Sequence, residues 1–223
     1  MFIDEGLLDN VTKFFGDGKR LKFGKFEFAK HISKKKNLFC KHLFYYTAPP
    51  FQSANSTEKE NKMREGYDKF VSALMKDKRI SVREGRCQKI IGEEGKEEFN
   101  QKGVDTLLTL DLSHIREDFP RVKKIILVSS DTDFCPAIRD IKSRDKIEVI
   151  LYTYFDRKRK SKFSLSNELI DCCSEFVKLT KEDFENCKIK EVEKEIGKKI
   201  VSEDNFLSER KKKKKKKLQE AII

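Results

Sequence analysis

The stretch Lys123-Lys124-Ile125-Ile126-Leu127-Val128-Ser129-Ser130-Asp131-Thr132-Asp133-Phe134 decides the fold. Ile125–Val128 is apolar without alternation, the pattern of a strand buried on both faces of a sheet. Two small hydroxyl residues end the run, and two acids one residue apart follow. Cys135-Pro136 then opens a helical pattern, with Pro136 in the first turn, where a missing N–H costs nothing. Asp131 and Asp133 are therefore expected at the carboxyl end of a central strand, the edge at which open α/β sheets bind ligands.

Working outward, Met1–Leu8 reads as a short strand closed by Asp4, and Lys13–Lys25 as a loop. Phe26–Lys34 reads as a helix, and Leu38–Thr47 as a strand stopped by Ala48-Pro49-Pro50. Glu58–Lys76 fits an amphipathic helix. Ile80–Arg83 and Cys87–Ile91 are short β-like runs around Glu84-Gly85. Gly92–Gln101 reads as a mobile charged loop. A helix opened by Lys102-Gly103-Val104-Asp105 carries a stripe of Val104, Leu107, Leu108, Leu112 and Ile115. Past the central stretch the chain offers a strand (Lys146–Tyr154), a basic loop (Asp156–Lys162), a helix (Ser166–Cys173), a strand (Phe176–Leu179) and a helix from Lys181. Alternating strands and helices imply a mostly parallel sheet covered on both faces. One domain is expected over residues 1–186, followed by a charged helical or disordered tail, 187–223.

The 223 residues carry a net charge of +12. Arg210 and Lys211–Lys217, set against Glu220, give the last fourteen residues +7, leaving +5 for the rest. A mildly basic body suits a polyanionic partner without demanding one. The seven-lysine run reads as a disordered or partly helical tail, weighed between one that adds nonspecific nucleic-acid affinity and a solvated tail with no dedicated role. The basic loop, with Arg157, Lys158 and Arg159, is a candidate rim for substrate phosphates, weighed evenly against a solvated surface loop. No apolar run reaches the length of a membrane span. Met1 leads directly into Phe2-Ile3-Asp4, so no signal peptide is expected. Six cysteines without C-x-x-C spacing and three scattered histidines argue against zinc and for reduced thiols in a cytoplasmic protein. A homo-oligomer is left open.

Asp4, Asp105, Asp131 and Asp133 share one property. Each follows a strand or starts the next helix, and in a parallel sheet those positions lie on one edge. Singly, each is as well read as a turn former or helix N-cap. Together they are harder to dismiss. Two carboxylates about 4 Å apart repel by roughly 1 kcal/mol in water and about 4 kcal/mol at an effective dielectric of 20. A chain that gathers four needs a cation or a raised pKa. All-oxygen ligands favour Mg²⁺ or Mn²⁺. Asp111, six residues past Asp105 and within the apolar stripe, reads as an acid that orients a neighbour.

Phe2-Ile3-Asp4, then Lys102-Gly103-Val104-Asp105 with Asp111, then Ser129-Ser130-Asp131-Thr132-Asp133-Phe134 resemble the motifs of the NYN domain, a member of the PIN-like nuclease group. Ser166, Leu169, Phe176 and Leu179 resemble its closing helix and strand, so the resemblance runs from about residue 1 to residue 180. It implies a PIN-like three-layer α/β fold and metal-dependent cleavage of RNA. Asp4, Asp105, Asp131 and Asp133 would then be the catalytic, metal-binding acids, with Lys102 and Ser130 beside them. The chain departs from the pattern at Leu7, Ser130 and Ser174, where Asn, Gly and an acid are common; all four acids are kept. The competing readings are a non-catalytic RNA-binding or scaffold module, and a phosphatase built on Asp131-Thr132-Asp133.

Overall fold

The computed structural model describes residues 1–92, 97–156, 163–164 and 166–189. Met1–Cys187 forms one compact unit. The basic loop with Arg157, Lys158 and Arg159, and the lysine run, lie outside the described residues.

Six parallel strands make the central sheet: β1 (Phe2–Asp4), β2 (Leu43–Thr47), β3 (Ile80–Glu84), β6 (Lys124–Val128), β7 (Glu148–Thr153) and β8 (Glu175–Lys178), in the order β3-β2-β1-β6-β7-β8. Helices cover both faces. On one, Ile3, Leu43, Tyr45, Ile126 and Val128 pack under Leu7, Leu8 and Val11 of α1 (Glu5–Phe15) and under Phe28, Ala29 and Ile32 of α2 (Lys25–Lys34). On the other, Phe2, Phe44, Tyr46, Ile125 and Leu127 meet Leu108, Leu112 and Ile115 of α4 (Val104–Asp118). Ile138 and Ile141 of α5 (Cys135–Asp145) complete that layer. The result is a three-layer α/β architecture: the parallel sheet covered on both faces that the alternating pattern implies, and the PIN-like arrangement that the resemblance implies. Ile125–Val128 is buried along its whole length because β1 and β7 flank it and helices cover both sides.

The order in which strands are added reverses beside β1. From it β2 and β3 extend one way, while β6, β7 and β8 extend the other. Such a switch point leaves a crevice at the carboxyl edge, because the connections leave to opposite sides.

Three expectations are corrected. Met1–Leu8 is a three-residue strand followed at once by α1, whose apolar Leu7, Leu8 and Val11 share one helical face and whose N-terminus Asp4 caps. The strand read from Leu38 begins only at Leu43. Gly92–Gln101 is not simply a charged loop. Its second half belongs to β5 (Glu97–Lys102), which pairs antiparallel with β4 (Arg86–Ile91) to form a separate ribbon. Every residue of β5 is exposed, so backbone pairing rather than an apolar pattern defines the strand. Gly103 then turns the chain from β5 into α4 at φ 80°, a left-handed conformation that glycine adopts without steric cost. The remaining helices are α3 (Glu58–Met75), α6 (Asn167–Cys172) and α7 (Lys181–Glu185). No helix among the described residues is long and apolar enough to cross a membrane.

Candidate active site

The two strands at the switch point supply the centre of the site. Phe2 pairs with Leu127 and Ile3 with Val128, so the register carries Asp4 to the level of Ser129. Asp4 is partly buried. Its Oδ1 accepts from the Gly6 N–H at 2.8 Å, and its Oδ2 accepts from the Ser129 hydroxyl at 3.1 Å. The Ser129 Oγ in turn accepts the Asp131 N–H at 3.2 Å. Asp131 Oδ1 accepts the Asp133 N–H at 2.9 Å and caps a short 3₁₀ turn, Thr132–Phe134, that leads into α5. One buried hydroxyl thus ties the end of β1 to the loop after β6 and fixes the spacing of two acids from opposite halves of the sheet.

Asp105 joins them from the first turn of α4. Burial raises the pKa of Asp4 to about 6 against an ordinary value of 3.8. The Gly6 and Ser129 hydrogen bonds oppose the rise, and the charges of Asp105 and Asp131 add to it. Asp105 is also raised, by desolvation and then by Asp131 and Asp133. Asp4 thus feels Asp105 and Asp131, and Asp105 feels Asp131 and Asp133, so Asp105 and Asp131 link the set. Among the described residues none of them forms a salt bridge. The four side chains offer only oxygen donors, the kind that a hard divalent ion prefers. The side chains are not already drawn into a chelating set: among the described residues, no group of three or more His, Cys, Asp or Glu is arranged to hold a metal.

The other predicted residues fall around this centre. Asp111 is turned away from it, toward β2 and β3. It accepts from the Tyr46 hydroxyl at 2.8 Å and from Arg83 Nε and an Arg83 terminal nitrogen at 2.8 and 3.2 Å. Lys102 ends β5 with an exposed side chain. Ser130 is exposed, and the hydroxyl that bridges the acids belongs to Ser129. Ser129 has a signal in the sequence, as the small hydroxyl residue directly after the strand and before the acids, but two adjacent serines do not say which one faces in.

Sequence reasoning also missed a run of polar groups further along the edge. Glu5 follows Asp4 and accepts a hydrogen bond from Thr47 at the end of β2. Tyr67 on α3 donates to Glu84 at the end of β3, at 2.8 Å. Nearby, burial lowers the Lys25 ammonium to a pKa of about 8, with Glu5 among the charges that oppose the fall.

With this geometry in view, the comparisons with known proteins take their place. The NYN domain family matches over residues 14–180, three quarters of the chain. The chain belongs to the NYN domain family. The match spans Asp105, Asp131 and Asp133 and begins after Asp4, so the expected extent of the resemblance is corrected at its N-terminal end. The strand register, not the family match, brings Asp4 to the other acids. No curated protein matches the chain. Among solved structures, a protein of unknown function from Vibrio parahaemolyticus is similar at 19% identity and a TM-score of 0.48, covering 82% of this chain and 92% of that one.

Proposed function

We propose that this NYN domain is a Mg²⁺- or Mn²⁺-dependent ribonuclease that hydrolyses phosphodiester bonds at Asp4, Asp105, Asp131 and Asp133. The observation that carries the reading is a gathering of four carboxylates at a switch point with no salt-bridged cation among the described residues, and with Asp4 pushed to about 6. Burial of these charges, with a smaller part from their mutual repulsion, disfavours the fold, so it is expected where a ligand relieves it. A divalent ion would supply Lewis acidity toward the phosphodiester. Asp131 and Asp133 hold their spacing through their own backbone turn, and Asp4 is aimed by Gly6 and Ser129. Lys102, exposed and three residues before Asp105, is a counter-charge for an incoming phosphate. The +5 body outside the lysine tail favours a polyanion.

The test is incubation of the full chain with labelled single-stranded and structured RNA. Cleavage is expected with Mn²⁺ and none in EDTA, and Asp131→Asn should lose about 10²-fold or more. Undiminished cleavage in EDTA overturns the metal mechanism. The second reading is a non-catalytic RNA-binding module, favoured by one observation, the absence of a preformed chelating set among the described residues. Stoichiometric RNA binding without cleavage under any divalent ion would select it.

A further inference from the structure

Beside the acids, at the same edge of the sheet, lies a cleft of about 580 Å³ between α1, α3, the end of β2 and the β4–β5 ribbon. It begins at Glu5, the residue after Asp4. Its volume falls within the usual range for a small-molecule site. Its floor carries two acids and two bases, Glu5 and Asp9 with Arg20 and Lys25. Arg20 pairs with Asp9. A floor with both signs and no excess of either is poorly suited to a phosphate, which would meet two carboxylates. It is well suited to a neutral planar ligand whose edge carries both donors and acceptors.

The walls point to the same ligand. Tyr67 and Phe70 of α3 line one side. Phe99 of β5 stands at the mouth, 53% exposed, with Phe51 beside it at a ring-centroid distance of 5.6 Å. Exposed aromatic rings beside a backbone-cleaving site are platforms for stacking bases. Gly66 supplies an independent observation. It sits in the interior of α3, where glycine weakens a helix relative to alanine. It lies on the cleft wall, and a Cβ built on it would meet nothing within 4 Å. No packing contact in the fold requires a glycine there, and the missing side chain leaves the cleft open.

We propose that this cleft receives one unstacked nucleobase of the RNA strand, flanking the phosphate at the acids. The base stacks against the aromatic wall over Gly66 and directs its polar edge to the Glu5, Asp9, Arg20 and Lys25 floor. The inference deepens the ribonuclease reading and rests on its choice of RNA as substrate.

The experiment measures binding of a labelled ten-nucleotide RNA to the full chain in EDTA, alongside the same RNA carrying a single abasic position moved along its length. One abasic position is expected to weaken wild-type binding about tenfold. Gly66→Leu, which fills the cleft, should weaken the intact RNA by a similar factor and become insensitive to that abasic position. Gly66→Ala guards against misfolding: it should raise the melting temperature while weakening binding by less. Unchanged affinity in Gly66→Leu, or equal affinity for every abasic RNA, overturns the proposal even if the wild type cleaves RNA with Mn²⁺. The coupled loss in a protein that cleaves nothing would uphold the cleft and sink the nuclease reading. Absence of any RNA binding sinks both.

Discussion

Two sets of acids in this molecule have opposite surroundings. Asp183, at the start of α7, is almost fully buried. Lys35 donates to it at 2.6 Å, His31 lies 3.5 Å away, and both the backbone and the hydroxyl of Thr180 donate to it. Burial pushes its pKa up, but the hydrogen bonds from Lys35 and Thr180 outweigh burial and hold it below 3.8. Asp111 is served similarly by Arg83 and Tyr46. Among the described residues, Asp4 and Asp105 have no such cation. Their charged neighbours are other acids, and both are raised. The same side chain is thus a structural tie in one place and a source of repulsion in the other. The difference lies in what the fold sets beside it. An acid whose charge is answered inside the chain is finished; acids left unanswered among the described residues are the ones for which we propose a partner from outside.

Asp183→Ala attacks the finished side of this contrast and has the largest expected effect on stability, a loss of about 3 kcal/mol at pH 7 in urea unfolding. The estimate takes the low end for a broken ion pair because Lys35, 41% exposed, stays hydrated when its partner is gone. The tie acts only while Asp183 is ionised. Its contribution is complete above about pH 4 and disappears as pH falls through the depressed folded value, so wild type and variant should converge in acid. RNA cleavage per folded molecule should not change. A loss of turnover without a loss of stability would dissolve the distinction.

Asp4→Asn attacks the other side, with the opposite sign. Asparagine still caps α1, so the change removes charge and little else. The pKa of Asp4 is raised on folding, so both states are protonated below 3.8 and the acid costs nothing there. The unfolded chain ionises first as pH rises, and the penalty is complete above about 6. The variant should therefore be more stable than wild type by roughly 2–3 kcal/mol at pH 7 and equal to it near pH 3. Millimolar Mn²⁺ should stabilise the wild type more than the variant, because only the wild type has the full set of acids to answer. A variant less stable than wild type at pH 7 would show that Asp4 is not under strain.

How much of this contrast was legible beforehand depends on which physical signal each part leaves. The central strand announces itself, because a β-branched run with no alternation has few other homes, and Asp131 and Asp133 inherit their position from it. Asp105 follows from the glycine turn that opens α4. The second ribbon strand was unreadable: Glu97–Lys102 is exposed throughout, and backbone pairing has no side-chain signature. The helix after Asp4 was missed because three strand residues and eleven helical ones join without a loop, so the cap residue reads as a strand end. The cations that answer Asp111 and Asp183 were out of reach for another reason. Arg83 and Lys35 are far away in sequence, and only the folded sheet brings them in. A sequence gives the acids, but not which of them have been neutralised.

The smallest effect tests the joint between the two halves of the sheet. Ser129 is fully buried, and its hydroxyl donates to Asp4 while accepting from the Asp131 backbone. Ser129→Ala removes both contacts without changing volume appreciably. A partly buried N–H on Asp131 loses its acceptor, which should cost about 1 kcal/mol. Asp4 loses a donor to its charged form, so its pKa should rise further above 6. Turnover should fall by about tenfold, the scale expected when a group that orients a ligand-binding acid is lost. The acid limb of its pH–rate profile should move to higher pH. A merely structural hydroxyl would lower stability and leave that limb where it was, so the profile decides whether Ser129 packs the sheet or aims the acid.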